Sequence, residues 1–326
     1  MLVLTRSDVE ELLDLDAMVE TVAAAMADLS AGRASMPPRV AARTEDGILG
    51  VMPAALPSAG VLSTKLVSVF AGNAGTALPT HQAVIVAFDP STGEPIALMD
   101  GAYITATRTA AGSALATRLL ARSDAGVLAV LGTGVQGESH ARAVPRVHRF
   151  REILIAGRSP EKAGALASRM AGELPLPVRA VASFREAVEA ADVVCACTHS
   201  PEPVVRRAWL KAGTHVNSVG LTAEGTEVDG ATVADSLVVV ESLASALGPF
   251  PAGANDLAWP IRDGLVDPDH VHTEIGQLVA GTRPGRTSVH QITLYKSVGV
   301  AVQDAAAAAL VLAAAREHGA GRTVDM

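Results

Sequence analysis

Two groups of residues in this chain have the types and spacing that chemistry requires. The first is Gly132-Thr-Gly134-Val135-Gln136-Gly137, which follows the apolar run Val127 to Leu131 and opens a segment of helical character. A GxGxxG between strand and helix suits a dinucleotide: Gly132 permits the tight turn, Gly134 lets backbone approach the pyrophosphate, and Gly137 lets helix meet strand. Amide donors and the partial positive charge of the helix N-terminus then face the phosphates, with Val135 and Gln136 at the same place. The next apolar run ends Ile155-Ala-Gly157-Arg158-Ser159-Pro-Glu-Lys162, without the terminal acidic residue that takes the ribose hydroxyls of NAD. Arg158, Ser159 and Lys162 suit a 2′-phosphate instead, which favours NADP(H) over NAD(H). Thr198, after a third such run, falls where the carboxyl edge of a sheet borders the cofactor, a place an ordinary strand-end residue also occupies.

The second group is cationic. Arg39, Lys65 and Arg108 each stand among apolar or small residues, in Pro-Pro-Arg39, Leu-Ser-Thr-Lys65-Leu-Val and Thr-Ala-Thr-Arg108-Thr109-Ala-Ala. Charges in such settings are seldom buried without a partner, so something anionic should meet them. A guanidinium binds a substrate carboxylate bidentately, and a desolvated lysine exchanges protons more readily. A structural ion pair or a surface position accounts for any one of the three equally well.

Elements that place these groups follow from the pattern of apolar residues. The chain opens with a capping-box pattern at Ser7-Asp-Val-Glu10 and apolar positions at helical spacing as far as Gly32. Short β-like runs cover Ile48 to Met52, Leu62 to Phe70, His81 to Phe88 and Ile96 to Met99, the last two joined by a turn at Asp89 to Pro95. A helix is expected over Tyr103 to Arg122. From Val127 the chain alternates β-runs (Val127 to Leu131, Ile153 to Ile155, Val193 to Cys197, Thr214 to Val219, Ser236 to Glu241) with helical segments, which builds a parallel sheet covered on both faces. An Ala-rich helix ends at Gly319 and is expected to return to the first domain. The fold class is therefore α/β, a Rossmann-type doubly wound parallel sheet over 123–294, with a smaller α+β domain from 1–122 and 295–326.

The chain has 326 residues, a net charge of −8 and 18% charged residues. No basic block stands against the acidic balance, so neither a nucleic acid nor an anionic membrane surface is an expected partner. The longest apolar run, Ala305 to Ala315, is too short to span a bilayer, and the N-terminus has no secretory pattern. Cys195 and Cys197 are the only cysteines, poorly placed to pair, which points to a reducing, cytoplasmic compartment. The histidines show no ligand spacing, so no metal is expected.

Several segments together carry a family resemblance: Gly50-Val-Met-Pro-Ala, Thr64-Lys65-Leu-Val, Pro79-Thr80-His81-Gln82-Ala, Met99-Asp-Gly101, Ile104-Thr-Ala-Thr-Arg108-Thr109-Ala-Ala, the glycine motif, Asn217-Ser-Val219-Gly220 and Lys296-Ser297-Val-Gly299. In this order, from about Leu4 to about Gly319, the chain resembles the ornithine cyclodeaminase and mu-crystallin family. The resemblance implies that Arg39 and Lys65 bind and polarise the substrate. It implies also that Arg108 and Thr109 touch cofactor phosphates, that Thr80, His81 and Ser297 line the nicotinamide end with Val219 and Gly220 nearby, and that the chain forms a homodimer. His81 is counted with Lys65 and Arg39 as catalytic.

One position separates branches of that family. Cyclodeaminases carry an aspartate shortly after the Val-Gly pair; here Thr222 stands there, and a hydroxyl does not replace a carboxylate base near neutral pH. Glu224 enters the site only if the loop differs. The expected activity is NAD(P)H-dependent reduction of small imino acids, either cyclic ketimines or imines of 2-oxo acids, reversible as an amino-acid dehydrogenase. Cyclodeamination with retained NAD is the alternative within the family, and ligand binding without turnover is the alternative outside enzymology. A short-chain dehydrogenase would need TyrxxxLys, but Tyr103 is followed by Thr107 and Tyr295 by Gly299.

Overall fold

The computed structural model describes residues 1–325 and divides into two compact units, 1–108 with 299–325, and 109–298. The first unit is built on a seven-stranded sheet. Its strands, in spatial order, are Arg322–Thr323, Leu2–Leu4, Pro95–Asp100, His81–Phe88, Val61–Val69, Ile48–Leu56 and Val40–Arg43. All neighbours are antiparallel except Leu2–Leu4 beside Pro95–Asp100. Alternation along the strands puts Met52, Ala54, Leu56, Ile85, Ala87, Ala97 and Met99 on a buried face, as a period of two requires. The helix Ala301–His318 packs on that face beside the helix Leu15–Ser30. Its C-terminus is closed by Gly319 at φ 65, the left-handed conformation that glycine adopts without strain.

The second unit carries eight parallel strands in the order Thr273–Glu274, Ser236–Val240, Ile292–Lys296, His215–Ser218, Val193–Ala196, Val127–Leu131, Glu152–Ala156 and Val178–Ala180. Strands such as Val127–Leu131 and Val193–Ala196 are buried at every position, the pattern of a sheet covered on both faces. Cys195 and Cys197 are buried and unbridged.

Three sequence expectations change. The first helix is Arg6–Leu12, and its capping box is formed by Thr5 and Asp8. Ser7 lies inside the helix, so Ser7 and Glu10 do not form the box. The expected helix from Ser7 towards Gly32 is two helices, because the chain leaves helical geometry at Leu13 and restarts at Asp14, whose side chain caps Leu15–Ser30. The strand Ile292–Lys296 pairs on both edges within the parallel sheet. Tyr295 and Lys296 therefore belong to the second unit, and the helix Gly101–Leu120 crosses from one unit to the other at Arg108 and Thr109.

Candidate active site

In the first unit, Lys65 sits midway along the strand Val61–Val69 with its side chain on the buried face, only 2% exposed. Its Nζ lies 2.7 Å from Asp304 Oδ2 and 3.4 Å from Thr105 Oγ1. Asp304 belongs to the first turn of the helix Ala301–His318, and its other oxygen accepts from Arg108 Nε at 2.9 Å. Arg108 also donates to Gln303 Oε1 at 3.3 Å, and Gln303 is held in turn by Met26 Sδ. Arg39 donates to the Gly299 carbonyl at 2.6 Å. Gly299 is held at φ 75, which favours glycine, and a Cβ there would make a tight contact, 3.1 Å, with the Arg108 guanidinium.

Lys65 and Arg108 share the single carboxylate of Asp304, which leaves this buried trio one positive charge in surplus. Burial is the largest influence on Lys65 and lowers its pKa to about 8; Asp304 opposes the fall, while Arg108 and Arg39 add to it. Asp304 is held below the usual carboxylate range by Arg108 and Lys65, whose pull exceeds the opposing effect of burial. Burial, with Lys65 and Arg108 adding to it, pushes His81 down to about 4. His81 is thus a neutral imidazole near pH 7 and has no imidazolium proton to give.

The second unit carries the glycine motif. Gly132 is at φ 117, and a Cβ there would meet the Cys197 carbonyl oxygen at 2.4 Å; a Cβ on Gly137 would meet the Gly132 oxygen at 2.1 Å. Gly134 differs, because a Cβ there would meet nothing within 4 Å. It N-caps the helix Val135–Ala143 without a side-chain hydrogen bond, so the first-turn amides carry no side-chain cap, an arrangement that suits an anion. Val135 is 67% exposed and the Gln136 Oε1 atom is buried without a partner. An open cradle with an orphaned polar atom at its rim fits a dinucleotide.

Arg158 is exposed after the strand Glu152–Ala156. Ser159 is less free than its type implies: its Oγ accepts from the Lys162 amide at 3.2 Å and donates to Glu161 Oε2 at 2.7 Å. Thr198 donates its hydroxyl to Glu227 Oε1 at 2.8 Å, and Ser297 donates to Glu241 Oε1 at 2.9 Å. Thr109 is buried in its helix and Thr80 is exposed just before the strand His81–Phe88. Val219 donates its amide to the Ala196 carbonyl at 3.0 Å, and Gly220 follows it at the end of the strand His215–Ser218.

The profile of the ornithine cyclodeaminase/mu-crystallin family matches residues 1–319. The chain belongs to this family. Mouse ketimine reductase mu-crystallin is 38% identical over 266 residues, covering 81% of this chain and 80% of the mouse protein. A structure of Thermococcus litoralis Δ1-pyrroline-2-carboxylate reductase with NADH and L-proline matches with a TM-score of 0.95 at 38% identity, covering 99% of this chain and 100% of that one. An archaeal alanine dehydrogenase dimer with bound NAD matches with a TM-score of 0.93 at 31% identity, over 100% of this chain and 99% of the other.

Within this family member, sequence reasoning missed Asp304. The available signal was an acid and an amide, Gln303-Asp304, in a helix otherwise almost wholly Ala, Val and Leu in its first three turns. The anion expected near Lys65 and Arg108 is thus supplied in part by the protein itself. The loop carboxylates take different places: Glu224 is exposed, its amide bonded to Thr222 Oγ1, while Glu227 is buried.

Proposed function

We propose that the protein is an NAD(P)H-dependent reductase of small imino acids. The observation that carries this reading is the surplus positive charge of the Lys65–Asp304–Arg108 trio, buried in a polar cluster that also bears Arg39. A substrate carboxylate neutralises that surplus, and Arg39 supplies the planar donor geometry that carboxylates accept. Lys65, brought near neutrality, is matched to deliver a proton to the imine nitrogen. Asp304 orients its ammonium.

A reduced nicotinamide supplies hydride to the imine carbon when bound. The C=N double bond becomes a C–N single bond, the nitrogen gains the proton that Lys65 gives up, and Lys65 is reprotonated from solvent. In reverse the same groups serve amino-acid oxidation, with neutral Lys65 accepting the proton. Gly132, Gly134, Val135, Gln136 and Gly137 hold the pyrophosphate, with Arg108 and Thr109 as further phosphate contacts. Thr80, His81, Thr198, Val219, Gly220 and Ser297 line the nicotinamide end. Arg158 and Lys162 favour NADP(H), a preference that Glu161 opposes, with NAD(H) the alternative.

We infer that the active protein is a homodimer formed through the outer face of the seven-stranded sheet. There Val40, Val51, Leu66 and Val84 form a cross-strand row, with Pro53, Thr64, Val86 and Leu98 in the next. Val40 is 64% and Val84 40% exposed, and a second copy of the same face would cover them. No helix among the described residues is long and apolar enough to cross a membrane, and the unbridged buried thiols fit a cytoplasmic compartment.

The deciding assay is oxidation of NADPH, with NADH in parallel, in the presence of Δ1-pyrroline-2-carboxylate, Δ1-piperideine-2-carboxylate, or pyruvate with ammonia. Turnover of a cyclic ketimine is the expected result. Ammonia release from ornithine without net cofactor change would replace this reading with cyclodeamination.

A further inference from the structure

A second cluster of buried charge lies at the carboxyl edge of the parallel sheet. Lys296 ends the strand Ile292–Lys296 with its side chain wholly buried, 3.0 Å from Asp256 Oδ2. Its Nζ also donates to Ser218 Oγ at 2.9 Å and to the Gly220 carbonyl at 2.5 Å. Asp256 Oδ1 accepts from the amides of Glu227 and Val228, at 2.7 and 2.9 Å. Glu227, 1% exposed, has no cationic partner among the described residues. One oxygen accepts from the Thr198 amide at 2.6 Å and hydroxyl at 2.8 Å; the other accepts from Ser218 Oγ and the Gly220 amide, both at 2.8 Å. Every donor to Glu227 is neutral.

Two carboxylates and one ammonium leave this cluster one negative charge in surplus, and burial limits its screening by salt. Its position is specific. Glu227 grips Thr198 and Gly220, at the ends of adjacent parallel strands, and in an open sheet of this kind ligands bind outside those ends. Gly220 leaves no room for a side chain, because a Cβ there would lie 2.3 Å from the Thr198 oxygen and 2.5 Å from Glu227 Oε1.

We propose that Glu227, with the Lys296–Asp256 pair, biases the bound nicotinamide towards its oxidised state. This rests on the cofactor reading given under Proposed function and adds to it a residue that tunes the cofactor without touching it. Hydride departure turns a neutral ring into one with a positive charge, and a fixed negative charge nearby favours that product. The bias therefore runs in the direction of imine reduction. Glu227 is a positioning residue too, since it ties together the two strand ends.

The test uses cofactor binding alone, with no imine present. NADPH and NADH are titrated by fluorescence, NADP+ and NAD+ by displacement, on the wild-type protein and on Glu227→Gln, Asp256→Asn, Glu227→Asp and Lys296→Met. The ratio of oxidised to reduced Kd is expected to rise by about tenfold in Glu227→Gln and Asp256→Asn and to fall in Lys296→Met. Glu227→Asp, which keeps the charge, is expected to keep the wild-type ratio even where both affinities weaken. Equal changes in both Kd values in variants that keep the wild-type circular dichroism would overturn the proposal and leave the cofactor reading intact. Failure of the wild-type protein to bind any of the four nucleotides would overturn both.

Discussion

Lys65 Nζ and Asp304 Oδ2 stand 2.7 Å apart, joining a central strand to the first turn of the C-terminal helix, with 2% of each side chain exposed. Removing one member of a buried pair leaves the other uncompensated, typically at a cost of about 3 to 5 kcal/mol. Asp304→Asn is therefore expected to lower stability and to reduce kcat/KM. The sign of its pH effect follows from Lys65, whose protonated form the proposed reduction uses. Activity is full below about pH 8 and falls as pH rises through that value. Asp304 holds the Lys65 pKa up, so Asp304→Asn moves the alkaline limb to lower pH, whereas Asp304→Glu restores it. Lys65→Ala removes turnover but leaves NADPH binding measurable. A pH profile of kcat/KM with a cyclic ketimine checks all three; an unmoved limb in Asp304→Asn would detach Asp304 from the proton transfer.

Cofactor choice is expected to depend on Arg158. Arg158→Asp places a carboxylate at the strand end, where it repels a 2′-phosphate and accepts from ribose hydroxyls. NADPH use should weaken at least tenfold more than NADH use, on the scale of a lost charge-assisted contact of about 1.5 to 3 kcal/mol. Steady-state kinetics with both cofactors measure this, and equal losses would remove Arg158 from the 2′-phosphate site.

Two histidines make the second unit sensitive to acid. Burial lowers His140 to about 4 and His215 to about 3, from an ordinary value of 6.5. His140 bonds the Gln136 carbonyl and Ser113 Oγ, and His215 bonds Thr293 Oγ1 and Asn217 Oδ1. Because the folded pKa values are depressed, the unfolded chain binds protons first. Their contribution is complete above pH 6.5 and is lost as pH falls below it, at up to about 1.4 kcal/mol per pH unit for each histidine. Urea unfolding at pH 7 and pH 5 should show this loss, and His215→Asn should shrink the difference while lowering stability at both values.

The outer face of the seven-stranded sheet should respond to a single charge. Leu66 lies in the row between Val51 and Val84. Leu66→Glu is expected to convert a dimer to monomers in light scattering, while circular dichroism stays that of the folded chain. A dimer that survives this change would place the interface elsewhere.

Features that depend on neighbouring residues are legible in the chain order alone. The glycine motif was legible because turn, close approach and helix start lie within six positions, Gly132 to Gly137, and each needs glycine for a local reason. Strands such as His81–Phe88 and Val127–Leu131 were legible from their apolar pattern. Local reading was weaker where two caps compete within a few residues, as Thr5 and Ser7 do at the first helix. Arg39, Lys65 and Arg108 stood out as charges in apolar surroundings, for which an anionic partner was the expectation and a surface position the alternative. Which anion was a tertiary matter. Asp304 reaches Lys65 and Arg108 only because the Ala-rich helix packs on the sheet face that carries Lys65, and nothing in its immediate neighbours records that partner. Glu227 comes from a loop, Asp256 from the first turn of the helix Asn255–Arg262 and Lys296 from a strand end, and they converge only once the chain is packed. Electrostatic neutralisation acts through space, so the chain order of these charges carries no trace of it, and only the packed structure decides which of them meet.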